Sequence, residues 1–306
     1  MGVNTEKLLA MRGDPKRYNH SASELRSTQV AAINERLQEQ GKQIRLVTFR
    51  ARAADIDEIT CLEDAVALLL PHTAYKSYPE SFLTGAKWDK LTKWLGTVSS
   101  LPTDTVDLSG VENIDQWVEA CGKAGLHVSC SSGTTGKSAM LVASDVELAF
   151  AAKDGIDAVQ WGSLIREGDK RSTAGAASAV AYTPRNVAMG QALMAAFVDP
   201  EAKRFVSGLP PVTVGSLTGM IALRKAVADG TAKPDEVAAF EAESARRQAA
   251  LDAAQVGAVD DVISKRDERL HITGMWGALY PFAKAVRDRG YSGKDFHPEN
   301  SCYLGG

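Results

Sequence analysis

Residues 130–138 read Cys130-Ser131-Ser132-Gly133-Thr134-Thr135-Gly136-Lys137-Ser138, and this run constrains the fold more than any other stretch of the chain. Its glycines let the backbone turn and approach a ligand closely, and its hydroxyls and ammonium group add donors to a concavity of backbone N–H groups. That is the chemistry of a polyphosphate cradle. The segment before it, Gly125-Leu126-His127-Val128-Ser129, reads as a short buried strand, and Ala139-Met140-Leu141-Val142-Ala143 after it is again apolar. A loop between two buried strands is the expected setting.

Gly136-Lys137-Ser138 also matches the end of a Walker signature. That signature requires a glycine where this chain has Ser131, and a helix directly after the Lys-Ser pair. Here the apolar, partly β-branched residues 139–143 come next, and Ser144-Asp145 reads as the cap of a helix that opens only later. A P-loop phosphotransferase is therefore a lesser alternative. An unliganded surface turn is the plainest reading, although ordinary turns seldom carry so many donors.

The first hundred residues read as a helical region, 1–100. Ser21 or Ser23 caps a helix with Leu25, Val30, Ile33 and Leu37 on one face and Gly41 as its stop. A second helical block spans about Cys61 to Leu70, before Pro71, and others cover Ala86–Gly96 and Val111–Gly125. Between them, His72 to Phe82 mixes aromatic and polar residues and reads as a packed connection in preference to a docking stretch.

Residues 101–306 read as an α/β core. Strand candidates at Ala177–Tyr182, Leu270–Gly274 and Ser301–Gly306 alternate with helices at Asn186–Val198, Ser216–Gly230 and Trp276–Arg289. A longer helix opens at Pro234 and extends to about Asp267, with Glu241, Glu243, Arg246, Arg247 and Asp252 on a solvated face. Such alternation predicts a mainly parallel sheet with flanking helices, binding its ligand at the carboxyl ends of the strands. The last strand candidate, ending in Gly305-Gly306, reads as buried on both faces, a setting that normally calls for a crossover helix after it.

The stretch Ser131 to Gly136 resembles, without a gap, the phosphate-binding loop of the adenylate-forming superfamily of acyl-CoA synthetases. The string through Lys137 is most similar to that of phenylacetate-CoA ligase-like enzymes and acyl-protein synthetases. Members usually continue with Pro and then Lys or Thr, where this chain has Ser138 and Ala139, so Lys137 is read as a supporting cation. The resemblance implies ATP-dependent conversion of a small carboxylic acid to an acyl adenylate, with magnesium, and then transfer to coenzyme A or a protein thiol. It implies that Ser131, Ser132, Thr134 and Thr135 donate to phosphate, that Gly133 and Gly136 shape the backbone, and that Gly305 and Gly306 border the adenine and acyl pocket.

The family's aromatic-Gly-x-Thr-Glu motif, its ribose-binding aspartate and the lysine of its C-terminal domain have no counterpart before Gly306. On this likeness the chain is an incomplete large domain. Its catalytic residues are expected beyond Gly306 or on another chain, and the 306 residues alone are expected to show no pyrophosphate exchange. A non-catalytic nucleotide-binding fragment is the alternative.

Composition narrows the partners. A net charge of −3 and a pI near 6.0 provide no basic field for nucleic acid or anionic lipid. No apolar run approaches the roughly 20 residues of a membrane span, and the start lacks an apolar signal core, so a cytoplasmic location is expected. The four cysteines, Cys61, Cys121, Cys130 and Cys302, form no CxxC pair, which argues for a reducing compartment and against a zinc site. Cys130 reads as a small buried residue and His127 as a core or rim histidine.

Overall fold

The computed structural model describes residues 2–14, 16–17, 19–131, 137–162, 165–176, 183–203, 205–209 and 212–305. The chain divides into two compact units, Met1–Leu126 with Ala139–Val142 and His127–Ser138 with Ala143–Gly306.

The first unit is helical. Helices α1 (Val3–Ala10), α2 (Ala22–Gln40), α3 (Arg45–Ala53), α4 (Asp64–Leu68), α5 (Ser81–Thr84), α6 (Trp88–Val98) and α7 (Ile114–Lys123) follow one another. Ser21 and Glu24 close a reciprocal capping box at the start of α2. Its end at Gly41 is right-handed, with φ −58°, so the helix stops without the left-handed glycine that the sequence suggests. Helix α1 is fastened from outside: the Glu35 carboxylate on α2 accepts from the Asn4 and Thr5 backbone amides and from both side chains, at 2.8–2.9 Å. These bonds, led by that from the Asn4 amide, hold the Glu35 carboxyl down at about 2.

Around α6 and α7 the core is aromatic. Leu91, Leu95 and Trp117 are fully enclosed, and the Trp117 indole donates to Thr92 Oγ1 at 2.9 Å while that hydroxyl donates to the Trp88 carbonyl at 2.8 Å. The mixed segment 72–82 is a packed connection. Its Tyr78 is buried edge-on to Trp94 at 4.9 Å, and Trp94 donates to Ser77 Oγ at 2.9 Å. The helical block expected at 61–70 contracts to α4, because Asp64 turns back to accept from Thr60 and Cys61 and so starts the helix late. Helices α1 and α3 carry no strong cap of their own and escape a sequence reading.

Strands β1 (His127–Cys130) and β2 (Met140–Ala143) form a two-stranded antiparallel ribbon. Beyond it come α8 (Asp145–Gly162), β3 (Ser172–Gly175), α9 (Pro184–Phe197), α10 (Val214–Ala228), α11 (Pro234–Ser264), β4 (Leu270–Met275), α12 (Trp276–Asp288) and β5 (Ser301–Gly305). Strands β3, β4 and β5 lie side by side in that order, all parallel, so the α/β class and the parallel sheet with flanking helices are as expected.

One face of the sheet, through Ala174 and Leu270, packs on Ala254, Ala258, Val259 and Val262 of α11 and on Phe282 and Val286 of α12. On the other face Tyr303 meets Val159, Leu193 and Phe197 of α8 and α9. Helices on both faces are what parallel strands require.

Residues 177–182 lie outside the described residues, and the strand before α9 is β3, at Ser172–Gly175. Strand β5 is an edge strand among the described residues: it pairs with β4 alone and leaves Cys302 exposed, so it is not buried on both faces.

The amino ends of the three strands are tied together. Arg171, immediately before β3 and only 2% exposed, donates to the Glu299 carbonyl before β5 and lies 3.6 Å from Asp169. Arg269, immediately before β4, reaches Asp169 at 3.8 Å and Glu299 at 3.5 Å, and Asn300 Oδ1 accepts from the Leu270 amide at 2.8 Å. His271 on β4 is buried beside this cluster, 2.9 Å from Ser301 Oγ through Nδ1, with no partner on Nε2. Burial, and then the nearby Arg171 charge, push its pKa down from 6.5 to about 4.

Two predictions follow from these cores. Thr92→Val leaves the Trp117 indole N–H buried without an acceptor and should lower stability by about 2 kcal/mol in urea denaturation. For His271, the unfolded chain takes up a proton that the native chain refuses between pH 6.5 and pH 4. Stability should therefore fall as pH falls through that window, by about 3 kcal/mol in total. Urea midpoints measured across this range should lose that slope in His271→Asn. Glu35 and Asp64, both held near 2, titrate lower.

Candidate functional site

The glycine-hydroxyl run joins the two strands of the ribbon, and its described flanks, Ser131 and Lys137, are both half-buried. At the neck of the loop the Ser138 hydroxyl, itself buried, donates to the Ser131 carbonyl at 2.9 Å. This bond holds the entering and leaving strands together across the run. At the far end of the ribbon His127 Nε2 and Asp145 Oδ1 approach to 2.6 Å, linking the start of β1 to the start of α8. His127 thereby serves as a latch at the base of the ribbon, at the opposite end from the loop.

Helix α8 opens just past β2 through a reciprocal cap in which Ser144 N–H and Oγ–H donate to Glu147 while the Glu147 amide donates to Ser144 Oγ. The element directly after Lys137-Ser138 is thus a strand, and the strand-loop-helix arrangement of a Walker site is absent there. Ser132, Gly133, Thr134, Thr135, Gly136 and Gly306 lie outside the described residues.

A second group of residues gathers at the carboxyl end of the parallel sheet. Gly305 at the end of β5 is in register with Met275 at the end of β4, and Gly175 ends β3 in register with Thr273. Thr273 is exposed although it lies on the central strand, and Met275 and Trp276 beside it are 40% and 64% exposed. The helices that cover the amino half of the sheet leave this end open. Gly175 is required there: a Cβ would sit 2.7 Å from the Thr273 carbonyl oxygen. Gly274 is equally constrained, since its Cβ would meet Leu279 at 2.8 Å.

Strand β1 and the sheet end belong to the same unit, and α9 packs against β1 as well as against α8. Sequence reasoning named Gly305 and did not single out Gly175, Thr273 and Trp276, which the fold brings to the same end of the sheet. The only signal was glycine at the ends of β3 and β4, and Ser172-Thr173-Ala174-Gly175 is too short and too small in its side chains to announce a strand.

Cys130 is buried in β1, and burial pushes the Cys121 thiol up to about 12 and also raises that of Cys302. Among the described residues no group of three His, Cys, Asp or Glu side chains is placed to hold a metal ion. No helix among them is long and apolar enough to cross a membrane.

Comparison of the chain with protein-family models, with curated proteins and with solved structures yields no match.

Ser138→Ala removes the bond across the loop neck without opening a large cavity. Urea denaturation should show a loss of about 1 kcal/mol.

Proposed function

We propose that the chain binds ATP through the loop 131–137 and serves the activation of a carboxylic acid to an acyl adenylate, on the fold of an adenylate-forming large domain. The observation that carries this reading is the setting of the loop. A run dense in hydroxyls and glycine lies in sequence between two paired strands whose flanks are bonded at Ser131 and Ser138, and a strand follows it, which suits a polyphosphate cradle and disfavours a Walker site. The open carboxyl end of a parallel sheet in the same unit is where such folds take their ligands.

In this reaction a carboxylate oxygen attacks the α-phosphorus of ATP and pyrophosphate departs, so negative charge builds on the bridging and terminal oxygens. The hydroxyls of Ser131, Ser132, Thr134 and Thr135 donate to those oxygens, Gly133 and Gly136 let backbone amides approach them, and Lys137 offsets their charge. Gly305, with Gly306 next in sequence, borders the acyl and adenine end. Magnesium belongs to the nucleotide substrate, and none of the described residues is assigned to it. The adenylate then passes its acyl group to a thiol, of coenzyme A or of a protein.

Calorimetric titration with ATP tests the reading. Binding is expected, weakened about tenfold by Thr134→Ala and by Lys137→Ala, since each removes one charge-assisted contact. A chain that binds no ATP, or whose binding ignores both substitutions, overturns it. Carboxylate-dependent exchange of labelled pyrophosphate into ATP then separates activation from nucleotide binding alone, the alternative reading.

A further inference from the structure

Away from the loop, the first unit contains a concavity of about 160 Å³ between α2 and α3. Its floor is apolar, made by Leu37, Ala51 and Ile56, and its rim carries two cations, Lys42 and Arg52, and one carboxylate, Asp57. The turn that creates it is fixed: Thr48 Oγ1 donates to the Gly41 carbonyl at 2.6 Å. Gly41 is buried in the wall, where a Cβ would lie 2.4 Å from the Leu37 carbonyl oxygen, so no side chain fills the space from that side.

The three rim charges are exposed, and among the described residues none of them forms an ion pair. Opposite charges that line one small concavity without closing on each other leave a gap that a ligand of both signs can span. The volume is close to the roughly 150 Å³ that accommodates a benzene-sized apolar group. An aliphatic side chain therefore fits the floor, with a carboxylate toward Lys42 and Arg52 and an ammonium toward Asp57.

We propose that the α2–α3 concavity binds a free apolar α-amino acid. A fatty carboxylate would satisfy the cations but set its own charge against Asp57. An aliphatic amine would do the reverse. Exposed ion contacts are individually weak, so recognition depends on all three parts acting together on one small molecule. The site lies in the first unit and is independent of the nucleotide reading.

Isothermal titration of the full chain with L-leucine tests this, alongside 4-methylpentanoate, which lacks the ammonium, 3-methylbutylamine, which lacks the carboxylate, and glycine, which lacks the side chain. Saturable binding of L-leucine is expected, with each analogue at least about fivefold weaker. Asp57→Asn and Arg52→Gln, both at exposed positions and checked for unchanged thermal unfolding, should each weaken L-leucine by about fivefold. Absence of saturable L-leucine binding overturns the proposal. So does equal binding of 4-methylpentanoate, which would mark a simple anion site. L-leucine binding that both variants retain would place the ligand elsewhere, including at the nucleotide loop as a carboxylic acid, and overturns it as well.

Discussion

The buried guanidinium of Arg171 ties the start of β3 to that of β5, more than a hundred residues away in sequence. Its side chain donates to the Glu299 carbonyl and faces Asp169, and its backbone accepts from Asp199 and donates to Phe197. Parallel strands receive no help from a tight turn in setting their register, because each connection between them is long. A cluster built from the residues immediately before β3, β4 and β5 takes over that task. Buried charge is costly, so Arg171 gives the unit definition of register more surely than it gives net stability. Burial and that neighbouring charge together oppose protonation of His271 beside it.

Closing the amino end has a consequence at the other end. The packing of α8, α9, α11 and α12 seals Leu270 and His271, while Thr273 and Met275 two turns of the pleat further along remain exposed. The glycines at 175 and 274 sit where side chains would collide with a neighbouring strand or helix, so the open end keeps a low wall. The ribbon is organised on the same principle of fastening both ends, with Ser138 at the neck and His127–Asp145 at the base. A run of small polar residues is thereby presented from a fixed support.

Local signals in the chain were readable wherever the chemistry was local. Ser21, bonded to Glu24, and Ser144, bonded to Glu147, cap the helices they were expected to cap, and Pro234 opens α11 as expected, where the Lys233 amide donates to Glu236, because the interacting groups are three residues apart. Helix α1 was not readable, since its cap is Glu35, some thirty residues away on another helix. The strand at Ser172–Gly175 has no hydrophobic alternation to betray it; its place comes from pairing with Leu270–Thr273. Strand β5 read as fully buried because Tyr303 and Leu304 are apolar, yet its order in the sheet makes it an edge among the described residues.

By itself the sequence determined that a glycine-hydroxyl loop joins two short strands, that the chain is an α/β protein with a helical beginning, and that no helix follows Lys137 directly. These are matters of composition and near-neighbour chemistry, which act over a few residues. Only the tertiary structure decided which residues meet at the open end of the sheet, which strand lies at its edge, and that α2 and α3 enclose a concavity with charges of both signs on its rim. Those depend on long-range pairing and packing, where the partner of a residue is set by the fold and not by its neighbours in the chain.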